Sequence, residues 1–252
     1  MLNVYIGWDT REQVAYEVCK HSLLRKTKID VRAIPLKHRE LREKMMFCRP
    51  WRIRATDGLL IDDVDERPMS TEFAFTRFLV PSLNNYEGWA LFQDCDMLWQ
   101  GDVKDVLDLA DPRYAVMVVK HRHQPKDGMK MDGQEQIAYY RKNWSSFILW
   151  NCAHPANRMI TPELVNTKSG RWLHGLEWLD ESLIGHLGWE YNWIDGYSPH
   201  VHYPRVIHYT EGGPWFPEYR TCKYAEEWIA EYERWQRDGD HYCEVPTMKH
   251  GG

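Results

Sequence analysis

Trp89-Ala90-Leu91-Phe92-Gln93-Asp94-Cys95-Asp96 is the stretch on which the reading of this chain turns. Four apolar residues in a row form a compact run, as a strand buried on both faces does. The two aspartates then fall at its carboxyl end, where open α/β sheets place their ligands. Asp-x-Asp is a weak pattern by itself, since it recurs at Asp63/Asp65 and Asp238/Asp240. Only Asp94/Asp96 directly follows an apolar run. Two carboxylates held this close repel unless a proton or a cation intervenes. Hard oxygen donors suit Mg²⁺ or Mn²⁺, ions that usually bring a phosphate with them. The competing reading is a solvated turn that caps a helix starting near Asp102.

Working outward, the N-terminal Val4-Tyr5-Ile6 is a short apolar run ended by Gly7, and Thr10 with Gln13 three positions later reads as a helix cap. Val14, Ala15, Val18 and Leu24 lie near one face of that helix, as on a helix packed against a sheet. Residues 29–34 read as the next strand. The opening is therefore β-α-β, the unit of parallel sheets covered by helices. Residues 36–65 are charged and irregular and read as a long connection or flap, with the basic 49–54 stretch lying over a ligand or at the surface. Ser70 and Thr71 are candidate caps for a helix running through Phe73 to Leu79, ended by Pro81. Further buried strands are expected at 114–119 and 146–150.

Composition narrows the class. The 252 residues suit one α/β domain with a short appendage, and 13 Trp, 14 Tyr and 7 Phe exclude a disordered chain. A net charge of −5 argues against a dedicated nucleic-acid binder. No stretch approaches the roughly 20 apolar residues of a membrane span, and the N-terminus has no secretory-signal pattern, so a cytoplasmic location is expected. Cys19, Cys48, Cys95, Cys152, Cys222 and Cys243 show neither a zinc-site spacing nor a disulfide framework and read as free thiols. Tyr224, Trp228, Tyr232 and Trp235 mark one face of a C-terminal helix, whose acidic character favours docking on the domain over a membrane surface.

Two further regions bear on chemistry. His208 follows apolar Val206-Ile207 and precedes Gly212-Gly213, so an imidazole ligand would be followed by backbone able to approach a phosphate closely. A core histidine is the alternative. Asp180-Glu181 interrupts an otherwise apolar, helical-looking stretch from Trp178 to Ile184, as a cap or as a carboxylate placed in a pocket.

Together these motifs resemble the GT-A glycosyltransferases, most closely glycosyltransferase family 8, the group of glycogenin and the lipooligosaccharide galactosyltransferases. The resemblance runs in order over residues 1–216, leaving 217–252 as a C-terminal helical extension. It implies a Rossmann-like, mostly parallel sheet with helices on both faces, a nucleotide-sugar donor (a UDP-sugar), Mn²⁺ or Mg²⁺, and transfer with retention. By the resemblance, Gly7, Trp8 and Asp9 hold the nucleoside, with Asp9 on the base. Thr76-Arg77-Phe78 resembles the family's Ala-Arg-Leu, whose arginine helps bind donor. Asp94-Cys95-Asp96 with Gly101-Asp102 continues the metal motif, and His208 is the third ligand; Trp8 and Trp215, adjoining the two nucleotide-contacting motifs, are candidates for stacking on base or sugar. Asp180 and Glu181 stand where the family has Asp-Gln beside the reacting sugar, Glu181 as nucleophile or electrostatic stabiliser.

There are departures. Trp144-Ser145-Ser146 replaces Asn-Ala-Gly, although Asn151 matches the asparagine ending that strand. Gly213 stands where a phosphate-contacting lysine is common, leaving Arg205, Arg220 or Lys223 as substitutes. Lys120-His121-Arg122-His123 could contact an anionic group or form a solvated loop. Two other classes stay open: a non-catalytic nucleotide- or carbohydrate-binding module on the same fold, and a metal-dependent nucleotidyltransferase.

Overall fold

The computed structural model describes residues 1–121, 141, 143–199 and 203–239. Arg122, His123, Asp240 and Cys243 lie outside the described residues, as does the rest of the extension beyond 239. Strands are β1 (Leu2–Gly7), β2 (Val31–Leu36), β3 (Trp51–Ile53), β4 (Leu60–Asp62), β5 (Arg67–Met69), β6 (Trp89–Gln93), β7 (Met97–Trp99), β8 (Val116–Val118), β9 (Phe147–Asn151), β10 (Ile184–His186) and β11 (Val206–His208). Helices are α1 (Gln13–Lys26), α2 (His38–Glu43), α3 (Val80–Leu83), α4 (Val103–Leu107), α5 (Pro162–Thr167), α6 (Gly170–His174) and α7 (Ala225–Asp238).

The central sheet has the order β10-β8-β9-β6-β1-β2. β1 pairs in parallel with β2 and β6, and β10 with β8, while β9 runs antiparallel between β6 and β8. This is the expected mixed α/β architecture with a mostly parallel sheet. Its strands are continuous apolar runs because both faces are covered: α1 packs on β1 and β2, and α3 on β6 and β9. Leu91, Phe92, Ile148, Leu149 and Trp150 are fully buried.

Several local expectations are corrected. Asp9, not Thr10, caps the entry to α1: its side chain accepts from Arg11 N at 2.9 Å, while the Thr10 hydroxyl is turned to Glu72. Ser70 and Thr71 cap no helix there. The chain forms a 3-10 turn at Thr76–Leu79 and then α3, with Pro81 in the first turn of the helix rather than at its end. A proline is tolerated at that position because the N–H it lacks has no helical partner. Residues 36–65 are no loose flap. They contain α2 and two strands of the small antiparallel sheet β3-β4-β5. Arg49 is 1% exposed and grips Asp62 through Nε at 2.5 Å and NH2 at 2.7 Å, which pins that sheet to the body of the fold. The stretch from Trp178 is not a helix either. A 3-10 turn at Glu181–Leu183 leads directly into β10, as Ile184, Gly185 and His186 pair with β8.

The C-terminal helix α7 packs against α1. Trp228 of α7 is buried with Val18 and Leu98, and the partly buried Trp215 packs against them. Beside it Glu231, 2% exposed, takes Arg25 Nε and NH2 at 2.9 and 2.6 Å and His21 Nδ1 at 2.8 Å. Cys19, Cys48, Cys95, Cys152 and Cys222 are free thiols. No helix among the described residues is long and apolar enough to cross a membrane.

Candidate active site

At the end of β6 the chain turns sharply. Gln93 anchors the turn by accepting from Trp99 Nε1 at 2.9 Å, and Asp94 N donates to Ser146 O at 2.9 Å. The chain then enters β7, which pairs antiparallel with β11 so that Met97 faces His208. Tyr209 N donates to Asp96 O at 3.0 Å and closes the register. This pairing, between segments far apart in sequence, brings His208 Nε2 to 3.2 Å from Asp96 Oδ1 and 4.0 Å from Asp94 Oδ2. One ligand atom from each of the three lies within 4.8 Å of the others.

The surroundings suit a cation. His208 Nδ1 is 2.8 Å from Asn192 Oδ1, and Asn192 Nδ2 donates to Ser146 Oγ at 2.9 Å. That network orients the amide, so its oxygen can only accept and Nδ1 carries the proton. Nε2 is left facing the carboxylates, the position from which an imidazole ligand would reach a cation. Burial pushes the Asp94 carboxyl up; Arg77 pulls it down and Asp96 pushes it further up, with a raised value as the result. His208 is raised despite burial, because both aspartates favour its charged form. Glu12 adds a third carboxyl group: burial, and then Asp96, push it up to about 7, and it accepts from Cys95 Sγ at 3.5 Å. Crowded carboxylates that resist ionisation together with a pre-oriented imidazole are what a bound divalent cation would relieve. The donor set, two hard oxygens and one imidazole, fits Mn²⁺ or Mg²⁺.

Arg77 is the main fixed counter-charge. Its NH1 lies 2.9 Å from Asp94 Oδ1 and donates to Ser145 O at 2.8 Å, and the guanidinium packs against the rings of Phe92 and Phe73. Trp144-Ser145-Ser146 thus supplies acceptors to Arg77, to the Asp94 amide and to Asn192. Trp144 also sits beneath Lys120 and Arg141, at 5.4 and 5.3 Å from its ring centroid.

Those two cations hold Glu181, with Lys120 Nζ at 3.1 Å and Arg141 NH2 at 2.5 Å. Partial burial would raise the Glu181 carboxyl, but the hydrogen bond and charge of Lys120 and the charge of Arg141 outweigh it, so the group is lowered and stays ionised. Asp180 is exposed and caps the turn, accepting from Ser182 N at 2.9 Å.

In the loop after β1, a Cβ on Gly7 would meet the Phe73 ring at 2.5 Å, so only glycine fits. Trp8 is half-buried, edge-on to Tyr16, with Lys37 Nζ 4.5 Å from its ring. Asp9 is fully buried, and both its oxygens are engaged by Arg11 and the Glu72 amide, so a base would reach it only by displacing Arg11. Gly212 has φ +124°, and a side chain there would collide with Tyr219. Gly213 is closed over by Trp215, whose ring packs on Tyr209 and Trp228 within the protein. Arg205 is turned to Asp105 at 3.6 Å, Lys223 lies over Trp193 with Asp195 at 3.7 Å, and Arg220 is exposed. Glu12 and Asn192 escaped the sequence reading. Glu12 lies in the turn after Asp9 and could have been suspected, whereas nothing local marks Asn192.

A mostly parallel α/β sheet with an Asp-x-Asp pair and a histidine at its strand ends has the fold of the GT-A glycosyltransferases. The WbbM bifunctional glycosyltransferase superposes with a TM-score of 0.60 at 16% identity, over 94% of this chain and 50% of that one. The galactosyltransferase LgtC, solved with donor and acceptor sugar analogs, gives 0.58 at 13% identity over 94% of this chain and all of that one. The glycosyltransferase GlyE of Streptococcus pneumoniae TIGR4 gives 0.55 at 17%, over 94% of this chain and 63% of that one. The chain thus spans half the length of WbbM and under two thirds of GlyE. No protein-family model matches. The chain belongs to the same family as Protein CDI of Arabidopsis thaliana, to which it is 41% identical over 240 residues, 93% of this chain and 87% of that protein.

Proposed function

We propose that the chain is a metal-dependent glycosyltransferase of family 8-like, hexosyltransferase type, acting in the cytoplasm. It moves a sugar from a nucleoside-diphosphate sugar, a UDP-sugar, to a hydroxyl acceptor with retention. The observation that carries this reading is the convergence of Asp94, Asp96 and His208 at the carboxyl end of β6 in a GT-A fold. Residues 1–216 form the transferase unit and 217–252 its extension.

Asp94, Asp96 and His208 would hold Mn²⁺ or Mg²⁺, which when bound supplies the positive charge that a departing nucleoside diphosphate needs. The side chains have separate tasks. Asn192 fixes the His208 tautomer, and Arg77, anchored by the Ser145 carbonyl, balances Asp94 and meets the donor. Glu181, held ionised by Lys120 and Arg141, faces the anomeric carbon, where a fixed carboxylate stabilises developing positive charge. Asp180 supports the turn that presents it. Trp8 flanks the base, and Asp9 contributes by locking Arg11 and the loop. The turn of Gly212, Gly213 and Trp215 would meet the diphosphate through its backbone, the glycines making room for the Tyr219 and Trp215 rings, while Cys95 lines the turn between the two aspartates.

The test is a Mn²⁺-supplemented screen of nucleotide sugars read by nucleoside-diphosphate release. The unsubstituted protein should turn over a UDP-sugar, and Asp94→Ala and Asp96→Ala should not. Near-normal turnover in both variants sinks the proposal.

A further inference from the structure

His121 lies three residues beyond β8 at 3% exposure, and neither ring nitrogen has a hydrogen-bond partner among the described residues. The backbone on either side of the ring is well satisfied: His121 N donates to Val119 O at 2.9 Å, and His121 O accepts from Trp144 Nε1 at 3.1 Å. The ring lies edge-on to Trp189, with centroids 5.3 Å apart. The Asn192 backbone is close enough to polarise it but outside hydrogen-bond geometry. Leaving such a group unpaired is costly, and a bound hydrogen-bonding partner removes that cost. A neutral imidazole offers one donor and one acceptor nitrogen.

Strand order indicates what it would meet. The nucleoside loop follows β1, the metal-ligating cluster follows β6, and β8 lies on the other side of β6 across β9. Two strand spacings put β8 roughly 10 Å beyond β6. A ligand running from β1 across β6 therefore continues toward β8, where Lys120 already holds Glu181.

From this placement we infer that His121 binds the hydroxyl groups of the donor sugar and helps select which sugar is accepted, an assignment that rests on the nucleotide-sugar reading above. A neutral imidazole suits this task, because a sugar hydroxyl both donates and accepts, whereas a phosphate only accepts and calls for a cation. The ring packs edge-on to Trp189, and its chain neighbour Lys120 reaches Glu181.

The experiment titrates UDP, GDP and ADP, and the glucose and galactose conjugates of each, into the protein with Mn²⁺ by calorimetry. His121→Ala and His121→Asn are compared with the unsubstituted chain after thermal melts have identified which variants are folded. His121→Ala should bind the free nucleoside diphosphate within about twofold of normal and the matching nucleotide sugar roughly tenfold more weakly, the loss expected for one buried hydrogen bond. His121→Asn should recover part of that difference. Equal weakening of both ligands, or no weakening of either, overturns the assignment to the sugar. Should neither variant fold, ring-nitrogen NMR of the unsubstituted protein with Mg²⁺ takes their place: His121 should shift with the nucleotide sugar and not with the free diphosphate, and identical shifts overturn the assignment. If the unsubstituted protein binds none of the probes, the donor reading itself fails and His121's role falls with it.

Discussion

Two clusters in this molecule are built from the same parts, histidine, arginine and carboxylates, and they behave oppositely. At the end of β6, Asp94, Asp96 and Glu12 crowd around His208 and Arg77, and Asp94 and Glu12 are pushed upward. Between α1 and α7, Glu231 is buried as deeply but receives Arg25, Arg234 and His21. Burial raises that carboxyl, and the Arg25 hydrogen bond and charge, followed by His21, more than reverse it, so Glu231 is lowered. The difference separates a strut from a site. A buried carboxylate matched by cations closes an interface, whereas crowded carboxylates around an oriented imidazole are a cost the fold carries until a ligand arrives.

The largest effect that could break this contrast is in catalysis. Asp96→Asn should lower turnover by roughly a thousandfold through loss of the metal clamp, yet leave the melting temperature unchanged or higher, because like-charge repulsion is relieved. A clear fall in melting temperature would show that the cluster is structural after all. Glu231→Ala should do the reverse. It removes the buried carboxylate shared by His21 and Arg25 and should cost about 3 kcal/mol of stability in denaturant titrations, with turnover retained well below the melting transition. Because Glu231 is lowered from its ordinary value of 4.5, its contribution is complete above that pH and is lost as pH falls through the lower folded-state value. Glu231→Gln should therefore remove part of the acid sensitivity of unfolding.

Smaller effects sharpen the contrast within each cluster. Asn192→Ala frees the His208 ring and should weaken Mn²⁺ binding roughly 10–100-fold by calorimetry, the usual cost of losing a ligand-orienting hydrogen bond. Asp238 also reaches His21, at 3.1 Å, but its side chain is 45% exposed, so Asp238→Ala should shift stability by only about 0.5 kcal/mol.

What the sequence revealed follows the range of the forces involved. The apolar runs of β1, β6, β8 and β9 are local and continuous, and they were readable to within about two residues. Asp94 and Asp96 stood out because they abut such a run. The helix cap was misassigned because Thr10 and Asp9 are both competent capping residues, and Arg11, which settles the choice by clasping Asp9, looks like any surface charge. The small β3-β4-β5 sheet was hidden for a similar reason. Its stability depends on Arg49 reaching Asp62, Val165 and Lys168, and a basic stretch in sequence gives no sign that its arginine is buried. Asn192 was invisible because its importance exists only once β7 and β11 have paired.

The clasp between α1 and α7 joins His21 to Glu231, 210 residues apart. At ordinary rates of synthesis, about 5–20 residues per second, the first helix waits some ten seconds or more for its last partner to be made. During that interval His21 has no carboxylate, and Val18 lacks its Trp228 cover. The helix that begins the fold is thus among the last elements to be secured, and a nascent chain halted before α7 displays an apolar patch that a holdase chaperone can recognise.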